Sequence, residues 1–544
     1  MLKYLYNIHN LYNLLINSLN IKKFVTIVTF SLIFIIGVIS VKDYGTVNDE
    51  YNSRFRSLVT LNYLGDKFIP TINEKYKANK KIPKLSEVSG TVKFYGGDII
   101  QVPLTLVEII VGIEDKKDAF LLRHYTYFII FFFSLIAFYN ILKIRFIKWE
   151  YCIIGVLILF LTPRIFANSF YNNNDIPLMA FTIFSVNYGL KILNKISYKR
   201  IILFSLFSAA AINIRIMGLI VPVFLCLAIF ISSIQNKKEI KKIFLNILKI
   251  SSLTFLLYIL SFPSLWESPF KNTFAVFTQL ANHPMGGYHL YMGSLIDFFD
   301  TPWHYVPVWI FVTTPIFYTL FFIVGLCDLL RNSFNNKKDL LFIQDVFFLS
   351  LLIIPILSVI VLNSTLYDGW RHLYFIYPFY VIFIIKGLVF LLKSLNNSKK
   401  IKKLFQISIL IVLLDNGVWM INNHPYQYVF FNKVIRNVAA RNFELDYLTA
   451  SYKTNYDFLI KNEKKDIYLI AENGNRSLFY SLFSLKNKER QKFKVIDKSK
   501  AEYLITSYNL DDQTYDKEFF DKYEILNEVI VDGIKINSLF KLKK

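Results

Sequence analysis

Cysteine is almost missing from this chain: three among 544 residues, Cys152, Cys226 and Cys327, each in or beside an apolar run. No disulfide framework follows from that set. Charge is scarce too, at 19% of residues, below the usual share for a soluble globular chain. No internal repeat and no low-complexity tract stands out. No A-x-A cleavage site follows the first apolar run, 24–41, so that run reads as an uncleaved span and not as a secretory signal. Metal-ligand spacing is absent as well. His283 and His289 stand six apart, which is no metal-pair spacing, and neither a metal nor any other cofactor is expected.

What fills the chain instead is hydrocarbon. Hydrophobic residues make up 54%, with 53 Phe and 35 Tyr, and mean hydropathy is +0.40. Such a chain is an α-helical polytopic membrane protein. A span needs roughly 20 apolar residues. The runs that qualify, or nearly so, are 24–41, 120–142, 151–166, 176–192, 200–215, 217–234, 244–262, 305–329, 343–362, 372–393 and 404–421, about eleven spans. The formal net charge of +23 suggests nucleic acid only until the basic residues are placed. They gather in every second connection: Lys143, Arg145 and Lys148; Lys195, Lys199 and Arg200; Lys237, Lys238, Lys241 and Lys242; Arg331, Lys337 and Lys338; Lys399, Lys400, Lys402 and Lys403. That is the positive-inside pattern, and no nucleic-acid partner is expected. Segment 200–234 has basic connections at both ends, so it crosses an even number of times, as two short helices turning near Arg215.

The remaining connections then face outward: 42–119, a turn near 164–175, the turn at Arg215, 263–304, 364–371 and everything after about 422. His124, His283, His289, His304, His372 and His424 all lie at or beyond this face, with Asp49, Glu50, Asp175, Glu267, Asp297 and Asp368. The chain divides into a transmembrane domain, 1–421, with large outer loops 42–119 and 263–304, and a small outer α/β domain, 422–544. In the latter, Asp466–Ala471 and Tyr503–Thr506 read as strands, Ser477–Leu485 as a short helix, and Tyr523–Leu542 as a hairpin around Asp532-Gly533.

Polar chemistry at the ends of many helices on one side describes a site assembled at the membrane surface. "YGTVNDEYNSRF" (Tyr44–Phe55) puts Asp49 and Glu50 just past the first span. "TPRIFANSFYNNNDIPLMAF" (Thr162–Phe181) carries Arg164 and Asp175. "LWESPF" (Leu265–Phe270), "NHPMGGYHLYMG" (Asn282–Gly293), "TPWHYVPVWIFVTTP" (Thr301–Pro315), "YDGWRHLYFIYP" (Tyr367–Pro378) and "NHPYQYVFFN" (Asn423–Asn432) complete the set. With these motifs the chain resembles the GT-C glycosyltransferases, the group of protein O-mannosyltransferases and aminoarabinose transferases. The resemblance is nearest to the bacterial dolichyl-phosphate-mannose–protein mannosyltransferase-like members, and it is strongest from Thr162 to Asn432. The acidic pair matches the family hallmark. Relatives often carry N-P-K-D where this chain has Asn172-Asn173-Asn174-Asp175, so a phosphate contact from that Lys has to come from elsewhere.

The resemblance implies sugar transfer on the outer face of the cytoplasmic membrane, toward the periplasm or exterior. The donor would be a polyprenyl-phosphate sugar and the acceptor a glycan, lipid or protein hydroxyl. An acceptor hydroxyl needs a general base, a role for Asp49 with Glu50 as orienter, or the reverse. The leaving lipid phosphate suits arginine: Arg371, Arg215 or Arg164, with His372 beside them. Asp175, Glu267, His283, Trp303, His304 and Asp368 are the candidate substrate contacts. Plainer roles exist for each: Arg371 as a snorkelling helix anchor, Trp303 as interfacial belt, His304 and His372 as hydrogen-bonded structural groups. Two other functions fit a polytopic chain. A lipid-linked sugar flippase would need mid-span charges and repeat symmetry, and neither is visible. A non-catalytic, membrane-anchored assembly protein would tolerate loss of the acidic pair.

Overall fold

A backbone in hydrocarbon must satisfy its own hydrogen bonds, which leaves the helix as the form open to a single apolar run. The computed structural model describes residues 2–70, 82–94, 96–235, 239–281, 286–333, 340–473, 477–510 and 515–543, with backbone alone over 2–19. His283, Lys237, Lys238, Lys337 and Lys338 lie outside the described residues. Within them, eight helices are long and apolar enough to cross a membrane: Asn20–Asp43, Lys116–Arg145, Asp175–Asn194, Ile216–Gln235, Ile240–Leu260, Leu340–Val361, Arg371–Ser394 and Lys399–Asn422. The chain is a polytopic α-helical membrane protein.

Three of the expected spans take another form. The run 151–166 is a bent pair, Trp149–Phe160 and Pro163–Tyr171, turning by 65°. Proline at the second helix's start drives Thr162 to extended backbone (φ −82°, ψ 110°), and the first helix cannot continue through it. Counting that pair as one gives nine spans. The run 305–329 breaks for the same reason: Thr314, ahead of Pro315, is extended (φ −107°, ψ 137°) between helices Tyr305–Thr313 and Ile316–Ser333. Helix Tyr198–Ile214 has 17 residues and stops where Arg215 turns extended (φ −149°, ψ 140°).

The bundle is packed most closely where side chains are smallest. Helices Ile316–Ser333 and Tyr377–Ser394 cross at Gly325 and Gly387, where an added Cβ would stand 2.0 Å from the carbonyl oxygen of Phe383 or Phe321. Small residues at a crossing let two membrane helices gain dispersion contact that lipid cannot replace. Gly387→Leu is therefore expected to separate this pair and lower the melting temperature of the detergent-purified protein. An unchanged melting curve would show that the crossing contributes little.

Beyond the last membrane helix the chain forms a five-stranded mixed sheet. Its strands are β3 (Tyr468–Glu472), β4 (Phe493–Val495), β5 (Tyr503–Ser507), β6 (Tyr523–Val531) and β7 (Ile534–Leu542), in the order β4-β3-β5-β7-β6. A separate two-stranded ribbon, β1 (Tyr288–Tyr291) and β2 (Ser294–Asp297), precedes them. The five-stranded sheet has its own core, including Tyr456, Ile470, Tyr503 and Leu539. Its β6–β7 turn docks on the end of Lys399–Asn422: Asp532 accepts from Trp419 Nε1 at 3.1 Å, and Arg436 pairs with it at 3.2 Å. Lys486 also reaches Asp118 at 2.6 Å, near the start of Lys116–Arg145. The sheet thus sits at the end of the bundle that carries the acidic pair.

Candidate functional site

After the first membrane helix the chain makes a short 3-10 turn, Val41–Asp43, then runs extended to Val47 before helix Asn48–Phe68 begins. Asp49 and Glu50 stand in its first turn, where the exposed backbone N–H groups favour negative charge. Adjacent helical residues point about 100° apart, and the two carboxylates part company. Glu50 is fully buried. One of its oxygens accepts from the Val47 N–H at 3.1 Å, and the other stands 2.9 Å from His124 Nε2. Burial raises its carboxyl pKa above the ordinary value, with the adjacent His124 opposing. Glu50 therefore fastens the helix start to Lys116–Arg145. Glu50→Gln keeps an acceptor for Val47 and is expected to keep activity within about tenfold of the parent. Glu50→Ala leaves buried donors unpaired and should cost roughly 1–3 kcal/mol of stability. Denaturation and activity measured on both variants check the pair of expectations.

Asp49 faces the other way, into a cluster drawn from four parts of the chain. Its Oδ2 lies 2.8 Å from Arg371 Nη1, which also pairs with Asp175 at 3.1 Å, while Arg371 Nη2 pairs with Asp368 at 2.9 Å. Asp175 bridges onward to Arg215 at 2.9 Å. Three carboxylates thus surround two guanidiniums. Arg371, Asp175 and Asp368 are buried, whereas the Asp49 side chain keeps 22% of its surface exposed.

Local sequence explains how each member is aimed. Asp368 and Gly369 both take left-handed backbone (φ 57° and 69°), which turns the Asp368 carboxylate back onto Arg371. Glycine is the residue that tolerates this at least strain. Asn172 Oδ1 accepts the N–H groups of Asn174 (3.2 Å) and Asp175 (2.7 Å), starting helix Asp175–Asn194, and its amide donates to Asp175 Oδ2 at 2.9 Å. Asn173 donates to Ser53 and to the Asp49 carbonyl at 3.4 Å, tying that turn to the Asp49 helix. The asparagine run is a capping and docking device.

The other expected site residues separate. Arg164 is buried between the rings of Trp309 (5.2 Å) and Phe431 (4.9 Å) and donates Nε to the Phe430 carbonyl at 3.1 Å. Its Nη2 is buried without a hydrogen-bond partner among the described residues. His372 follows Arg371 and meets the Tyr367 ring edge-on at 4.6 Å. His304 accepts from or donates to Tyr291 Oη at 2.6 Å through Nδ1. Glu267 is an exposed loop residue, 4.0 Å from Lys93. Trp303 is 69% exposed and touches His304. Neither Glu267 nor Trp303 has a described contact with the Arg371 cluster.

Several polar residues without a clear signal in the sequence hold the segment that follows the first membrane helix. Arg56 pairs with Asp98 at 3.0 Å, and Glu108 receives Arg54 and, at 3.1 Å, Arg123. Their signal is faint in the sequence: charges within 42–119 and, for Arg123, in the second turn of helix Lys116–Arg145, whose partners are 15 to 54 residues away. Among the described residues, no group of three or more His, Cys, Asp or Glu is disposed to hold a metal ion.

His289, on β1, has a different character. It is fully buried among Phe298 and Tyr305, and neither ring nitrogen has a hydrogen-bond partner among the described residues. Burial lowers its pKa to about 4, with Asp297 opposing. The unfolded chain, ionising near 6.5, then binds a proton that the folded chain refuses. Stability should fall as pH drops from about 6.5 toward 4, by roughly 3 kcal/mol from this group. His289→Phe should flatten that part of the melting-temperature profile; an unchanged slope would remove His289 as its source.

No family model matches the chain, and neither does any curated protein.

Proposed function

We propose that the chain is an inverting glycosyltransferase that moves a sugar from a polyprenyl-phosphate donor to an acceptor hydroxyl at the outer membrane surface. The observation that carries the reading is Asp49: a carboxylate held by a buried arginine on one side and partly open on the other, in a cluster with one carboxylate in excess. Such a group accepts a proton at a fixed place without being neutralised by its neighbours. The acceptor O–H gives its proton to Asp49. The oxygen attacks the anomeric carbon, the bond from that carbon to the phosphate oxygen breaks, and the electron pair leaves with polyprenyl phosphate. Configuration inverts at the sugar carbon.

Arg371 has both terminal nitrogens engaged by carboxylates. In this reading it positions Asp49, and the departing phosphate is met by Arg215, at the rim of the cluster. Asp175 and Asp368 hold the two central arginines in place.

The charge pattern of the connections supports about eleven crossings, with the N-terminus inside and the C-terminal sheet outside, next to the site. A reporter fused after Lys544 should be active only outside the cytosol. Cytosolic activity would overturn the topology. Purified full-length protein, given a panel of polyprenyl-phosphate sugars with hydroxyl acceptors, should release polyprenyl phosphate and form a product of inverted anomeric configuration. Passage of intact donor across the bilayer without release would contradict the reading.

A further inference from the structure

The helix that begins at Arg371 ends at Ser394, and at about 1.5 Å per residue its two ends are some 30–35 Å apart. At the far end lies a cavity of about 830 Å³. Its floor is ionic and buried. Asp345 takes Arg145 at 2.6 Å and also Lys386, which stands 3.7 Å from Asp328. The Arg145 and Lys386 side chains keep only 9% and 10% of their surface exposed. These two cations and two carboxylates balance one another. The rim does not balance: Lys148, Lys393 and Lys402 line it, with no further carboxylate among the described lining residues. Lys402 is steadied by Asn396 Oδ1 at 2.5 Å.

A second hollow adjoins it. Between helices Ile220–Gln235 and Leu340–Val361 runs an apolar crevice of about 110 Å³, walled by Phe224, Ala228, Ile231, Val346 and Phe347. Phe342 lines both the crevice and the cavity, so the two hollows meet at helix Leu340–Val361. Both open at the end of the bundle where the basic connections gather.

We propose that the pair is a binding site for an anionic membrane phospholipid, its phosphodiester headgroup in the basic cavity and part of a chain in the crevice. Charge complementarity selects the headgroup: three rim lysines face an otherwise neutral floor. The apolar crevice selects a lipid over a free anion. Basic pockets between membrane helices at the cytoplasmic surface are where anionic headgroups concentrate, each lysine there contributing about 1 kcal/mol. The proposal is independent of the reaction at the opposite end.

The test uses the full chain in neutral detergent, with native mass spectrometry reading bound lipid. Dioctanoyl phosphatidylglycerol, dioctanoyl phosphatidylcholine and inorganic phosphate are titrated separately. Phosphatidylglycerol should bind most tightly, and more weakly as salt rises. The triple variant Lys148→Gln, Lys393→Gln, Lys402→Gln changes only rim residues and should weaken that binding on the order of a hundredfold. Val346→Trp, which fills the crevice from a partly exposed position, should weaken phosphatidylglycerol and leave phosphate unchanged. Equal binding of phosphatidylglycerol and phosphatidylcholine, or a triple variant that binds as the parent does, would overturn the proposal. Inorganic phosphate binding as tightly as the lipid, with Val346→Trp without effect, would identify a soluble-anion site instead and would equally overturn it.

Discussion

Asp49→Asn is expected to bind a polyprenyl-phosphate sugar as the parent does and to transfer it about a hundredfold more slowly, or worse. The substitution is nearly isosteric. It keeps an oxygen facing Arg371 Nη1 at the present 2.8 Å separation, so the cluster should survive. What it removes is basicity. Asparagine cannot take the acceptor's proton, and the loss should fall on the chemical step and leave donor affinity intact. The control is Glu50→Gln, one residue away in the same helical turn. Glu50 is turned inward onto Val47 and His124, so its neutral analogue should remain active. If both variants lose activity equally, the division of labour between the two carboxylates is wrong. If Asp49→Asn turns over normally, Asp49 has no part in proton transfer.

Arg371→Ala is expected to be the most damaging single change to stability at this end of the bundle. It would leave Asp49, Asp175 and Asp368 facing one another, two of them buried, with Arg215 as the one remaining guanidinium of the cluster. Removing one partner of a buried ion pair typically costs about 3–5 kcal/mol, and here three pairs share the partner. Arg371→Lys retains the charge but not the planar fork that reaches carboxylates on two sides. It should fold with an intermediate melting temperature and a turnover deficit larger than its change in substrate affinity. Adding Asp368→Ala to Arg371→Ala should restore part of the stability without restoring transfer, a coupling that a double-mutant cycle measures. Additive losses in that cycle would mean that Arg371 is not the hub of the cluster.

The membrane character of the chain is plain in its apolar runs, because period and length suffice to mark a membrane helix. The breaks are less plain. Pro163 and Pro315 are visible as residues, but whether a proline kinks a span or ends it depends on neighbouring helices. At Thr162 and Thr314 the backbone leaves the helix outright. The strands around Ile470 and Ile505 and the turn at Asp532-Gly533 stand within a residue or two of their sequence signals, since alternation and a turn dipeptide are local.

The site divides along the same line. The i,i+3 pairing of Asp368 with Arg371 is a local fact. The pairing of Arg371 with Asp49 and Asp175 spans 322 and 196 residues, and nothing local announces it. Hydropathy assigns Glu267 and Trp303 to a side of the membrane and to nothing finer. Side is a one-dimensional property, whereas contact depends on how loops fold over the surface. The asparagine run 172–174 reads as an altered motif in the sequence and proves to be the cap that aims Asp175.

The central claim is that Asp49 drives sugar transfer from a lipid phosphate, and the most direct measurement is single-turnover release of polyprenyl phosphate from labelled donor bound to the purified full chain. The parent and Glu50→Gln should release it on adding acceptor, while Asp49→Asn should hold donor without releasing it. Equal release by all three, or bound donor that none of them cleaves with any acceptor, would contradict the claim.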